Sequence, residues 1–168
     1  QMACNPDGCI APPKRSRYEG PNIIEGRNHR MSAPLRLGIA GLGTVGVGVV
    51  RIVKTHAELL EARCGRPVEI TAVSARDRSK DRGVGLTGYA WCDDPVDLAV
   101  HEDIDVFVEV MGGSEGPAKQ ATEAALAAGK DVVTANKALL AIHGQALAEK
   151  AEAAGRVIRF EAAVAAGI

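Results

Sequence analysis

Residues 41–46 read Gly41-Leu42-Gly43-Thr44-Val45-Gly46. They stand between an apolar run, Leu35 to Gly41, and a stretch from Thr44 to Arg63 whose apolar residues recur three or four apart. The run is a β-strand, the glycines form a tight turn, and the stretch is a helix. In that setting each glycine has its own task. Gly41 permits the sharp turn, Gly43 keeps a Cβ out of the path of an approaching ligand, and Gly46 lets the helix lie close to the strand. The helix then aims its unpaired N–H groups and the positive end of its dipole at the same place. A glycine turn without a ligand is the bland alternative, but between strand and helix the pattern points to the pyrophosphate of a dinucleotide.

Outward from the turn, strand and helix signals alternate. Val68 to Ser74 is a second β-rich run, Arg76 to Gly88 a charged, glycine-punctuated loop, and Tyr89 to Cys92 a short extended piece. Asp94-Pro95 opens a helix, and Ile104 to Met111 is nearly continuously apolar, as in strands buried on both faces of a parallel sheet. Ser114 is expected to cap a helix with Pro117 in its first turn, running to about Ala128 and closed by Gly129. Asp131 to Thr134 is the next strand, His143 to Ala154 a helix ended by Gly155, and Arg156 to Ala162 the last strand. This order predicts an α/β fold, a Rossmann-like doubly wound parallel sheet, as a single domain behind a disordered N-terminal leader.

Composition supports that class. The chain has 168 residues, 46% of them hydrophobic and 24% charged, which suits one soluble domain. Aromatics at 3% against 19 glycines argue against a β-sandwich, and the glycines lack the three-residue period of collagen. A net charge of -1, with a mildly basic leader and a mildly acidic body, argues against nucleic acid as a partner. No stretch reaches the roughly 18 apolar residues of a membrane span and no signal peptide is evident, so we expect a cytoplasmic protein with no membrane partner. The leader, residues 1–30, scatters Pro6, Pro12, Pro13 and Pro21 among charges. Its Ile24-Glu25-Gly26-Arg27 resembles an engineered factor Xa cleavage sequence, so we expect a vector-derived leader and a native start at Met31. The domain is then 31–168, and its apolar end at Ile168 suggests that a further domain follows. Cys4, Cys9, Cys64 and Cys92 have no C-x-x-C spacing, and His29, His56, His101 and His143 are dispersed, so neither zinc nor a disulfide framework is signalled.

Parallel sheets bind ligands at the carboxyl ends of their strands. The second strand ends in Ser74-Ala75-Arg76, where an acidic residue would select NAD and a cation the 2′-phosphate of NADP. Ala75 and Arg76 are therefore cofactor candidates, NADP(H) is favoured, and Asp77 one step later leaves NAD(H) as the alternative. Arg78 and Lys80 either assist or are solvated loop charges. The fourth strand closes with Glu109-Val110-Met111-Gly112-Gly113, where Gly112 admits a nicotinamide ring. Glu109 reads as a buried carboxylate satisfied by backbone N–H groups. The fifth strand closes with Thr134-Ala135-Asn136-Lys137. Asn136 and Lys137 reach the cofactor side, and the Lys137 ammonium is the candidate catalytic group, stabilising oxyanion charge or relaying a proton on a small-molecule substrate.

These residues together resemble the homoserine dehydrogenases over nearly all of Leu35 to Ile168. The resemblance is carried by Gly41 to Gly46, Val73-Ser74-Ala75-Arg76-Asp77, Val132-Val133-Thr134-Ala135-Asn136-Lys137-Ala138-Leu139-Leu140 and Phe160-Glu161-Ala162-Ala163-Val164. It implies NAD(P)-dependent interconversion of L-homoserine and L-aspartate 4-semialdehyde, towards threonine, methionine and isoleucine. It places Leu42, Thr44 and Val45 on the cofactor and Lys137 in the active site. It also implies a sodium site near the end of the chain, expected at the backbone carbonyls of Glu161, Val164, Ala166 and Ile168, and a homo-oligomer for the full-length enzyme. Two departures limit the transfer: alanine stands at Ala166 where many relatives have glycine, and the family's substrate pocket and second catalytic lysine lie beyond Ile168. The fragment alone is expected to bind cofactor and turn over little. The other readings are a different NAD(P) oxidoreductase on the same module, or a nucleotide-sensing module without chemistry.

Overall fold

The computed structural model describes residues 33–164. The expected leader, and Ala166 and Ile168 at the other end, lie outside the described residues. Six strands, β1 (Leu35–Ala40), β2 (Val68–Ser74), β3 (Ala90–Cys92), β4 (Val106–Glu109), β5 (Asp131–Thr134) and β6 (Ile158–Arg159), form one sheet. Its order is β3-β2-β1-β4-β5-β6, and every adjacent pair is parallel. The helices are α1 (Thr44–Thr55), α2 (Ala57–Cys64), α3 (Pro95–Ala99), α4 (Pro117–Ala127) and α5 (Lys137–Ala153). The doubly wound α/β class expected from the alternation is the one observed.

Side-chain alternation divides the core between the two faces of the sheet. Leu37, Ile39, Val106 and Val108 pack with Val50 of α1 on one face. Ala40, Phe107 and Val132 pack on the other with Leu98 of α3, Ala121 and Ala125 of α4, and Leu139 and Leu147 of α5. Small residues set the spacing: a Cβ on Gly38 would lie 2.9 Å from Ile104, so α3 and the turn after it rest directly on β1. Between β1 and β2 the register slips, with Leu37 opposite Ile70 and Gly38 opposite Ala72. Thr71 is the extra residue, and its hydroxyl donates to the Asp103 carbonyl at 2.6 Å. This shift puts Ile70 and Val73, three apart, on the same face.

Several boundaries differ from those the sequence predicts. The helix expected over Thr44 to Arg63 is kinked at His56 (φ -117°, ψ 29°), although hydrogen bonds from His56 N–H to Ile52 and from Leu60 N–H to His56 span the kink. Ser114 does not cap α4. Gly116 takes the N-cap position instead, at φ 70° and ψ -135°, a backbone conformation that favours glycine. Helix α5 opens at Lys137, well before His143, because Asn136 caps it. The last strand shrinks to Ile158–Arg159, and Glu161–Ala163 turns into a 3₁₀ segment. Other signals hold. Asp94 accepts from Val96 N–H above Pro95, and Gly129 (φ 72°) closes α4 with Lys130 N–H bonded to the Ala125 carbonyl.

Candidate functional site

Four strand ends stand level. Ser74 pairs with Ala40, Ala40 with Glu109, and Glu109 with Thr134, and each is the last residue of its strand. Four loops therefore leave one edge of the sheet across roughly 14 Å, at about 4.8 Å per strand step. The chain winds outward from β1 to β3 and then returns to β4, so the crevice between the β1 and β4 loops is the topological switch point. The loops of this edge carry Gly41 to Gly46, Ala75 and Arg76, Gly112, and Asn136 and Lys137.

The glycine turn is built by close approach. Gly41 has φ 102°, and a Cβ on it would stand 2.7 Å from the Val110 carbonyl oxygen. Its N–H donates to the Ser74 carbonyl at 2.8 Å, tying the turn to β2. A Cβ on Gly46 would fall 1.9 Å from the Gly41 carbonyl oxygen, so Gly46 closes the turn on its own first residue as well as seating α1. Gly43 is different: nothing lies within 4 Å of where its Cβ would be. Gly43 is also the N-cap of α1 and offers no side chain to the first helical N–H groups. An exposed turn with open space and free donors fits a phosphate. Thr44 and Val45 are exposed there, whereas the Leu42 side chain is buried in the core, so Leu42 can present only backbone.

On the β2 side, Arg76 is exposed and no hydrogen bond or ion pair engages it among the described residues. Asp77 is committed to its own turn. Its carboxylate accepts from Ser79 N–H at 2.9 Å and Ser79 Oγ at 2.7 Å, and these bonds hold it below the usual carboxylate range. Arg82, which sequence reading passed over, points inward and donates from Nε to the Leu42 carbonyl at 3.1 Å. Nothing in a run of alternating charges marks one arginine as inward-facing.

Beyond β4 and β5, the fully buried Glu109 accepts from Met111 N–H at 2.8 Å and from the Thr134 hydroxyl at 2.5 Å. Thr134 Oγ1 in turn accepts from Asn136 N–H at 3.0 Å. The carboxylate thus has one backbone donor and one hydroxyl donor, where backbone N–H groups alone were expected. Asn136 does two jobs: Oδ1 caps Leu139 N–H at 3.1 Å, and Nδ2 donates to the Gly113 carbonyl at 2.7 Å. The Gly112 to Gly116 segment is also held by a hydrogen bond between Glu115 and His143 of α5, which is the main reason the Glu115 carboxyl is held low. Lys137 is the first residue of α5, exposed, with no hydrogen bond or ion pair among the described residues. Its ammonium stands at the helix end where the dipole disfavours a cation, so stability does not account for it.

Of the four residues expected to hold sodium, Glu161 and Val164 are exposed at the 3₁₀ turn, and Arg159 lies 4.0 Å from the Glu161 carboxylate. Ala166 and Ile168 lie outside the described residues. Among the described residues, no three His, Cys, Asp or Glu side chains gather as a metal site, Cys64 and Cys92 are unpaired with each other, and no helix is long and apolar enough to cross a membrane.

The strand order and the glycine turn at its switch point define a dinucleotide-binding α/β domain. Comparison with known proteins narrows this. The family described as "Homoserine dehydrogenase, NAD binding domain" matches residues 41–161. Homoserine dehydrogenase of Mycobacterium tuberculosis is 46% identical over 135 residues, covering 80% of this chain and 30% of that protein. The enzyme of Neisseria gonorrhoeae is 41% identical over 135 residues, 80% of this chain and 31% of its own length. Among solved structures, S. aureus homoserine dehydrogenase at pH 7.5 superposes with a TM-score of 0.72 at 36% identity, covering 79% of this chain and 34% of that one. The chain belongs to the family of homoserine dehydrogenase NAD-binding domains. It spans about a third of the length of the curated relatives it matches.

Proposed function

We propose that this domain serves an enzyme that interconverts L-homoserine and L-aspartate 4-semialdehyde, with NADP(H) preferred over NAD(H). The observation that carries the reading is the level set of strand ends, which gathers the glycine turn, the Gly112 segment and Lys137 at one edge. The bound nicotinamide would supply or accept the hydride. The chain's own residues do the rest. Gly41 to Gly46 and the free N–H groups of α1 hold the pyrophosphate, and Thr44 and Val45 flank it. Gly112 leaves room for the ring, and Asn136 keeps that segment in place through Gly113. Lys137 is the proposed catalytic cation, stabilising negative charge on the substrate oxygen as the carbonyl is reduced or as the alcohol gives up its proton. The NADP(H) preference is supported by Asp77 being turned onto Ser79 while Arg76 stays open, so that no carboxylate is offered to a ribose hydroxyl.

Two parts of the proposal come from the family likeness: a homo-oligomer, and a sodium ion near Glu161, Val164, Ala166 and Ile168 in the complete enzyme; the cytoplasmic location is carried over from the sequence expectation. In a complete enzyme, Lys137→Ala is expected to cut turnover by roughly 10²–10⁴-fold with a smaller change in cofactor affinity. Homoserine oxidation at the wild-type rate would reduce Lys137 to a helix-opening surface residue. Sodium-against-potassium titration of that activity, with Glu161→Ala alongside, tests the cation; indifference to both removes it.

A further inference from the structure

The loop between β2 and β3 carries Arg76, Arg78, Lys80 and Arg82, and its two acids are used internally. Asp77 holds Ser79, and Asp81 accepts from Gly83 N–H at 2.8 Å. Arg82 is set apart from the other cations. Its guanidinium donates to three backbone carbonyls, those of Leu42, Lys80 and Asp77, and lies 5.7 Å from the centroid of the Trp91 ring. Arg78 lies over the same ring at 5.6 Å. Among the described residues, the hydrogen bond from Arg82 to Leu42 is the one that ties residues 76–82 to the glycine turn, while the ring contacts of Arg78 and Arg82 with Trp91 tie them to β3. The second half of the loop is anchored separately, by Lys54 bonding the Gly85 carbonyl and lying 5.1 Å from the Tyr89 ring.

We propose that Arg82 is the positioning residue for cofactor selectivity: it clamps the loop to the glycine turn and so holds Arg76 and Arg78 where a ribose 2′-phosphate binds. The inference rests on the NADP(H) reading above and adds to it the group that preorganises the site. A planar guanidinium suits this work, because its donors diverge in a fixed fork and can bridge three carbonyls at once. An ammonium has the same charge but cannot span them. The glycine turn does not depend on the clamp. Gly41 is bonded to Ser74, and Gly46 is packed against the Gly41 carbonyl. Loss of Arg82 therefore frees the phosphate-binding cations while leaving the pyrophosphate cradle intact, and NADPH suffers more than NADH.

The test is calorimetric titration of the 168-residue chain with NADPH and with NADH, for wild type, Arg82→Met and Arg82→Lys, with thermal melts confirming that each variant is folded. Both variants are expected to lose roughly tenfold in NADPH affinity, about the worth of one charge-assisted contact, with NADH changed less than about threefold. Amide exchange should quicken in residues 76–82 and stay unchanged in 41–47. Lysine retaining the wild-type preference would mean that Arg82 acts by charge alone, and equal loss of both cofactors would mean that it merely supports the fold; either overturns the clamp. A wild-type chain that binds both cofactors equally overturns the NADP(H) reading itself, and the selectivity role with it.

Discussion

Replacing Gly46 by alanine should destabilise the domain, although helix propensity alone says the opposite. Gly46 lies inside α1, where alanine is favoured over glycine by about 1 kcal/mol. Its new Cβ would stand 1.9 Å from the Gly41 carbonyl oxygen, more than 1 Å closer than real Cβ contacts allow. That oxygen cannot retreat easily, since Gly41 is bonded to Ser74 on one side and approaches Val110 closely on the other. Overpacking against a fixed backbone costs at least the usual 1–3 kcal/mol, and we expect about 3 kcal/mol or more net. Gly48 is the internal control: it belongs to the same helix and has nothing within 4 Å of its Cβ position. Gly48→Ala should therefore gain up to about 1 kcal/mol. For a domain of this size the two variants should melt about 10–20 °C apart. Thermal unfolding followed by circular dichroism reads the difference, and urea midpoints check it. If Gly46→Ala melts at or above wild type, the turn relaxes freely and close approach is not what requires glycine there.

Three further outcomes are expected. Glu109→Ala should cost about 2–4 kcal/mol in urea unfolding, because it leaves Met111 N–H and the Thr134 hydroxyl without their acceptor in a fully buried place; a cost below about 1 kcal/mol would mean that water replaces the carboxylate. Asn136→Ala should cost about 1 kcal/mol as a lost helix cap and speed amide exchange in residues 112–116, which its Nδ2 tethers through Gly113; unchanged exchange there would show that the tether holds nothing. The Asp105 carboxyl is held below its ordinary value chiefly by the Arg36 guanidinium, which bonds it at 2.9 Å. Its contribution to stability is therefore complete above about pH 4, the unfolded value, and fades as pH falls through the lower folded value. Unfolding measured from pH 6 down to pH 2.5 should show a shallower acid decline in Asp105→Asn than in wild type, and identical slopes would refute the linkage.

Most of the strand and helix order was legible because it rests on local chemistry. The Asp131 to Thr134 and Val68 to Ser74 strands appear where β-rich runs predict them. The Asp94-Pro95 start and the Gly129 stop work through hydrogen bonds between near neighbours. Errors fell where the deciding contact was distant or the local signal was double. Ser114 suits a cap by residue type, but Gly116, at φ 70°, takes the N-cap position and leaves it out. Asn136 reads as a strand-end group in the sequence, while its cap on Leu139 starts α5 at Lys137, well ahead of the expected start at His143. The Arg156 to Ala162 run promised a full strand, yet β6 is an edge strand of two residues before the chain turns.

By itself, the sequence determined the doubly wound class, the place of the glycine turn between strand and helix, and the family. Each of these is written in short-range pattern: a period of residues, a capping side chain, three glycines at fixed spacing. Only the tertiary structure decided that Gly46 is required by its contact with Gly41, that Thr134 shares Glu109 with Met111, and that Arg82 faces the turn rather than solvent. These are meetings of residues up to forty positions apart. Glu109 meets Thr134 because the parallel register of β4 and β5 sets them opposite each other, a register fixed by packing on both faces of the sheet, and Arg82 meets Leu42 because two loops leave neighbouring strand ends.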